Sequence, residues 1–145
     1  MHKKVMDMAI YKRCVLCGKR ILEGSKCECV SKRHKEYDRT RDKRLLGFYG
    51  GREWHTLSRY MRTRYQGVDV YELIHNNIHV PGNAVHHIYP VDEYWDMRFD
   101  TGYMILLSES NHRKFHSLMK QGKEQEVMAM LIDCVNQYNS CYGYE

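Results

Sequence analysis

No stretch of this sequence is apolar over anything near the ~20 residues that a spanning helix needs, which excludes a helical membrane segment. Disorder throughout is excluded from the other side. Of the 145 residues 43% are hydrophobic, too many for a chain that stays solvated, although the mean hydropathy is −0.68. No internal repeat is visible, and the length suits one compact domain plus a small appendage. A signal for secretion is missing too. The opening MHKKVMDMAIYKR is basic, but Asp7 interrupts its short apolar stretch and Lys12-Arg13 closes it. The expectation is therefore a reducing, cytoplasmic compartment.

Acidic residues are scarce in one half. Residues 1–67 hold 18 of the 23 Lys+Arg and 7 of the 18 Asp+Glu, a net of +11, whereas residues 68–145 are net −6. Such asymmetry points to a basic arm that holds a polyanion, joined to a core with a different task. A solvated helix face is the ordinary alternative, and the size of the difference favours the polyanion.

Four segments are expected. Residues 1–33 hold four of the six cysteines, and residues 34–47 continue a charge-dense run (SKRHKEYDRTRDKRLLG, 31–47) that reads as a basic linker or exposed helix. Residues 48–120, with both tryptophans, both prolines and seven of the nine histidines, form the main globular unit. Residues 121–145 place Val127, Met130, Leu131 and Cys134 at helical spacing, giving a C-terminal helix with a tail frayed after Asn139. Inside the main unit, residues 53–66 carry the stripe Trp54, Leu57, Met61 and Tyr65, with Arg52, Arg59, Arg62 and Arg64 mostly off it and Gly67 as the stop. Residues 83–89 and 103–107 read as strands. Ser108 caps a helix, ESNHRKFHSLMK, that turns Phe115, Leu118 and Met119 inward.

Cys14, Cys17, Cys27 and Cys29 form two close pairs ten residues apart. Four soft thiolates delivered by two tight turns suit a closed tetrahedral zinc site, and Gly18 and Gly24 suit the turns. Disulfides are the alternative, disfavoured in a reducing compartment. A segment with so little apolar material would depend on the metal to fold. Cys134 and Cys141 read as core or surface thiols.

His112 and His116, four apart on a helix, lie on one face where they can share a metal. His86 and His87 are adjacent on a strand and point to different faces, so one ligand and one base is the natural division. His2, His34 and His55 are expected to be exposed. His75 and His79 are expected in a turn before the first strand, with His79 an outside candidate for the site.

The run Val85-His86-His87-Ile88-Tyr89-Pro90, followed by Leu106-Leu107-Ser108, Asn111-His112 and His116, resembles the ββα-metal (His-Me finger) core of HNH endonucleases. Phe48-Tyr49-Gly50-Gly51-Arg52-Glu53-Trp54, after a Cys-rich segment, is similar to small phage-type members, and the likeness covers roughly residues 10–120. It implies an α+β fold: a small ββα-metal core with flanking helices and an N-terminal zinc-knuckle or ribbon segment.

It also implies a DNA endonuclease in which His86, His112 and His116 hold one divalent ion (Mg²⁺, Mn²⁺, Ni²⁺ or Zn²⁺). His87 is then the general base, and the cysteines hold one structural Zn²⁺. Arg52, Arg59, Arg62, Arg64, Arg113 and Lys114 are the candidates for phosphate contacts; Tyr49, Tyr60 and Tyr65 could add sugar or phosphate contacts, although two of them sit near the apolar stripe, where a core role is the commoner one. The partner is double-stranded DNA, with phage packaging proteins as further candidates and the bacterial host cytoplasm as the setting. Such cores cut one strand each, so a double-strand break needs two copies or a partner.

Two family features are missing. The middle Asn falls near Tyr103, in Asp100-Thr101-Gly102-Tyr103, with Asn83 or Asn111 as candidate substitutes. This favours, as the alternative, a DNA-binding protein whose cleavage is weak or lost. A further four-cysteine zinc site of many relatives aligns with Val70, Leu73, Ser108 and Asn111, none a thiol, and an apolar contact of Val70 and Leu73 is expected to brace the core instead.

Overall fold

A computed structural model describes residues 9–40 and 42–143, which form a small α+β protein with two small antiparallel sheets. The chain divides into two units, Met1–Leu46 and Gly47–Glu145. His2 lies outside the described residues.

In the first unit a short hairpin is followed by a helix. Strand β1 (Tyr11–Arg13) pairs antiparallel with β2 (Arg20–Leu22), with Lys12 opposite Ile21. The turn between them is closed by Gly18 N–H donating to the Cys14 carbonyl, and Gly18 adopts φ +72°, which only glycine takes without strain. Helix α1 (Glu28–Thr40) begins between Cys27 and Cys29. The 33/34 boundary expected from composition therefore falls inside a helix. Beyond Val30 every α1 side chain that is described is exposed, as the charge density of the run requires. Helix α2 (Lys43–Gly50) follows and buries Phe48.

The second unit is built around β4 (Met104–Leu107), an unbroken apolar run whose four side chains are fully buried. It pairs antiparallel with β3 (Ala84–His87), Val85 opposite Leu106 and His86 opposite Ile105. Helix α3 (Arg52–Arg64) buries Met61 through the expected stripe, and Tyr65, just past its end, donates its hydroxyl to the Met104 carbonyl at 2.8 Å. Helix α5 (Glu109–Leu118) adds Phe115, capped by Ser108 as the sequence suggests. A turn at Gly122 (φ +84°) reverses the chain into α6 (Glu124–Tyr142), which buries Val127, Leu131, Cys134 and Tyr138.

Two expectations fail here. His75, expected in a turn, sits on helix α4 (Val70–Asn76), while His79 lies exposed in the non-helical segment beyond it. The tail does not fray after Asn139: Tyr138 is buried and Asn139 accepts from Arg64, so the helix runs on to Tyr142.

Candidate metal centres

Cys14 and Cys17 sit in the β1–β2 turn, and Cys27 and Cys29 flank the first residue of α1, so one hairpin and one helix start converge four thiols. Their sulfurs lie within 4.8 Å of one another, with Cys14 Sγ 3.4 Å from Cys29 and Cys17 Sγ 3.6 Å from Cys27. Those separations exclude disulfides, whose sulfurs meet at ~2.05 Å. They approach the roughly 3.8 Å spacing of four sulfurs around a tetrahedral ion with ~2.3 Å bonds. Backbone N–H groups of Cys17 and Leu16 hold the Cys14 thiol down to about 6, while its hydrogen bonds with Cys27 and Cys14 push Cys29 up. The direction at Cys14 favours the thiolate, the form a metal takes. The cluster could hold a metal ion.

The second group of donors arises from one strand and one helix. His86 leaves the α5-facing side of β3, and His112 and His116 stack one turn apart on α5. Their ligand nitrogens lie within 4.8 Å of one another, and Nε2 of His112 and His116 are 3.1 Å apart. His86 is 2% exposed, and neither of its ring nitrogens has a hydrogen-bond partner. An unpaired polar atom in a core costs roughly 1–3 kcal/mol unless a ligand takes it up. One bound ion would satisfy one of these nitrogens, so the donor set fits a cation. Burial is the largest cause that lowers all three imidazoles below their usual 6.5, in His86 reinforced by His116 and His112, so each is neutral at pH 7 and ready to donate a lone pair.

The sign of that shift gives a stability prediction. The native fold resists protons that the unfolded chain takes up below 6.5, so stability present above that value is lost as pH falls below it. Melting of EDTA-treated protein between pH 8 and 5 should show Tm constant above about 6.5 and declining beneath it. A Tm that rises on acidification would contradict the buried triad.

His87 faces the other side of β3. It stacks on Trp54 with ring centroids 5.0 Å apart and touches Phe48 and Tyr49, the aromatics of the FYGGREW run. Its Nε2 lies 3.0 Å from the Arg98 carbonyl, which can only accept, so Nε2 carries the proton and the lone pair falls on Nδ1. Nδ1 lies 3.5 Å from the Tyr49 hydroxyl. His87 is 9% exposed, and burial is the main cause that holds its pKa down, against the Arg98 bond. Three imidazoles converge, and the fourth lies on the opposite strand face.

Next to Val70 and Leu73, and reaching Ser108 and Asn111, lies a carboxylate clamp. Asp69, fully buried, accepts from Ser108 N–H at 2.7 Å and Asn111 Nδ2 at 2.8 Å through Oδ2, and from Glu72 N–H at 3.0 Å through Oδ1. Asn111 also donates to Glu72 Oε1 at 2.8 Å. These bonds tie the start of α4 to the start of α5, beside His112. Val70 and Leu73 are indeed buried in the core, but the bracing between the two helix starts is polar. The sequence signal was there: Asp69 with Glu72 three residues on is the spacing of a capping box. Asp69→Ala leaves buried donors unpaired and is expected to cost roughly 3 kcal/mol, measured by denaturant unfolding. A change within ~0.5 kcal/mol would mean that the clamp bears no strain.

Asn111 is therefore engaged with Asp69 and not with His87, and Asn83 offers its backbone carbonyl to Arg62 at 3.1 Å. The loop beside His87 is held by Asp100, which accepts from Gly102 N–H, and by Ile88 N–H donating to the Tyr103 carbonyl. Among the candidate cations Arg52, Arg59, Arg62, Arg113 and Lys114 are exposed, Arg113 pairing with Glu109 at 3.2 Å. Arg64 is a correction. It is half-buried, and its guanidinium donates to the Thr101 carbonyl and to Asn139, which makes it a strut between α3 and α6. Tyr65 is likewise core and unavailable to DNA, whereas Tyr60 is exposed. His34 and His55 are exposed as expected, Cys134 is core and Cys141 is a surface thiol.

Comparison of the chain with family models, with curated proteins and with solved structures finds no match. No helix among the described residues is long and apolar enough to cross a membrane.

Proposed function

We propose that the chain is an HNH-type DNA endonuclease that hydrolyses phosphodiester bonds in double-stranded DNA, with a structural zinc ion on the four cysteines. The observation that carries the reading is the buried His86, both ring nitrogens unpaired, set against His112 and His116 in a strand–loop–strand–helix unit. A divalent ion (Mg²⁺, Mn²⁺, Ni²⁺ or Zn²⁺) bound there supplies neutralisation of the charge that builds on the phosphate. His87 takes the proton of the attacking water at Nδ1, because the Arg98 carbonyl fixes Nε2 as the protonated nitrogen. The stack on Trp54 holds the ring plane, and burial keeps it neutral at pH 7. The exposed Arg52, Arg59, Arg62, Arg113 and Lys114 neutralise phosphates without reading bases.

A second reading, a zinc-bearing DNA-binding protein without cleavage, draws on Tyr103 in the place of the family Asn and on the 9% exposure of His87. Nicking of supercoiled plasmid separates the two. Under the first, relaxed circles form with at least one of the four ions and not in EDTA, and His112→Ala and His116→Ala are inactive. Nicking that persists in EDTA overturns it. Salt-sensitive DNA binding with no nicking under any ion favours the second.

A further inference from the structure

The first unit exposes apolar surface that its own fold does not use. Of the eleven large hydrophobic side chains exposed in the described residues, six lie between residues 10 and 37, and Val15, at the tip of the cysteine turn, is 98% exposed. Beside it is a hollow of about 280 Å³ whose apolar floor is Ile21 and Val30, with the exposed Val15 at its edge beside Lys12, Arg13 and Lys26. Lys12 is 3.3 Å from Glu23, and Arg13 donates to the Gly18 carbonyl, so both heads are positioned at the rim. Two of the four thiols, Cys14 and Cys27, form its back wall, so the metal cluster sets its shape.

A pocket with an apolar floor and three cations at its edge, one of them paired with Glu23, selects a ligand with a flat apolar part flanked by anions. In a unit with so large a basic excess, the chemistry that fits is an unpaired nucleotide. We propose that this hollow binds single-stranded nucleic acid, with a splayed base on the apolar floor and the flanking phosphates on Lys12, Arg13 and Lys26. A base stacked in a duplex hides the face that the floor needs, so the site prefers single strands, such as the frayed or displaced strand beside a nick. The inference deepens the nucleic-acid part of the function proposed above. It is read by binding alone, so absence of cleavage leaves it standing.

The test is fluorescence anisotropy of the full chain, zinc-loaded and in EDTA-free buffer, with a fluorescein-labelled oligothymidylate and with a hairpin duplex of equal charge. Val15→Asp puts a carboxylate at the edge of the hollow, on a side chain that supports nothing in the fold. Leu16→Asp makes the same charge change one residue away, outside the hollow. Val15→Asp is expected to weaken single-strand binding about tenfold and Leu16→Asp no more than about twofold. Lys26→Ala should lower the log–log salt slope by about 0.7, the share of one phosphate. Thiolate-to-cobalt absorption in Co²⁺-substituted samples verifies that each variant keeps its cluster. Equal losses in Val15→Asp and Leu16→Asp, duplex binding as tight as single-strand binding, or competition by polyglutamate at equal charge would each overturn the proposal.

Discussion

Replacing His87 by alanine is expected to reduce plasmid nicking about 10²–10⁴-fold while the affinity for DNA stays within about twofold. The loss follows from what the ring is placed to do. Its Nε2–H is committed to the Arg98 carbonyl, so only Nδ1 can accept a proton, and the neighbouring His86 points to the opposite face of β3, toward His112 and His116. The affinity should be spared because the proposed phosphate contacts are exposed arginines and lysines, not a ring that is 9% exposed. Alanine also empties the space between Phe48, Tyr49 and Trp54, so folding must be monitored in parallel. His87→Gln keeps most of that volume and supplies no base, and it should be as inactive as alanine while melting closer to wild type. Single-turnover nicking and anisotropy on the same duplex make the measurement. An alanine variant that nicks at the wild-type rate removes His87 from the mechanism.

Stripping the metal from the cysteines is expected to unfold the first unit and leave the second intact. The reason lies in the burial pattern. Among the described residues of the first unit the only buried ones are Cys14 and Cys27, two of the ligands themselves. Its strands are three residues long, and its helix buries no apolar side chain fully. Structural zinc sites of this kind contribute about 10–16 kcal/mol at pH 7, far more than such a unit can gather from packing. Hydrogen exchange with and without a strong chelator reads both units at once. Amides of β1, β2 and the first turns of α1 should exchange freely without the ion, while those of β3 and β4 stay protected. Protection of the hairpin that survives chelation would show that another force folds it.

How far the sequence reached depends on the range of each interaction. Period and capping are local, so the stripe Trp54–Leu57–Met61–Tyr65, the Ser108 cap and the i, i+4 pair His112/His116 were legible from spacing alone. Strand alternation placed His86 and His87 on opposite faces. What spacing could not supply was the contact across many residues. Arg64 looked like a surface cation because its partners, Thr101 and Asn139, are 37 and 75 positions away. Tyr65 resembled a nucleic-acid contact until the Met104 carbonyl claimed its hydroxyl. Asp69 was overlooked because seven residues of helix α4 are too few to show a period, even though its capping spacing was present. The carboxylate clamp joins residues about 40 positions apart, beyond the reach of local spacing.

The side-by-side placement of His86 and His87 makes the site hostage to a single ladder. Sliding β3 by one position along β4 would trade the two rings, handing the ion-facing side to His87 and pressing His86 against Trp54. The bonds from Asn83 N–H to the Leu107 carbonyl and from Ile88 N–H to the Tyr103 carbonyl pin the strand at its two ends, and alignment of four residue pairs decides which imidazole meets His112 and His116 and which meets Trp54.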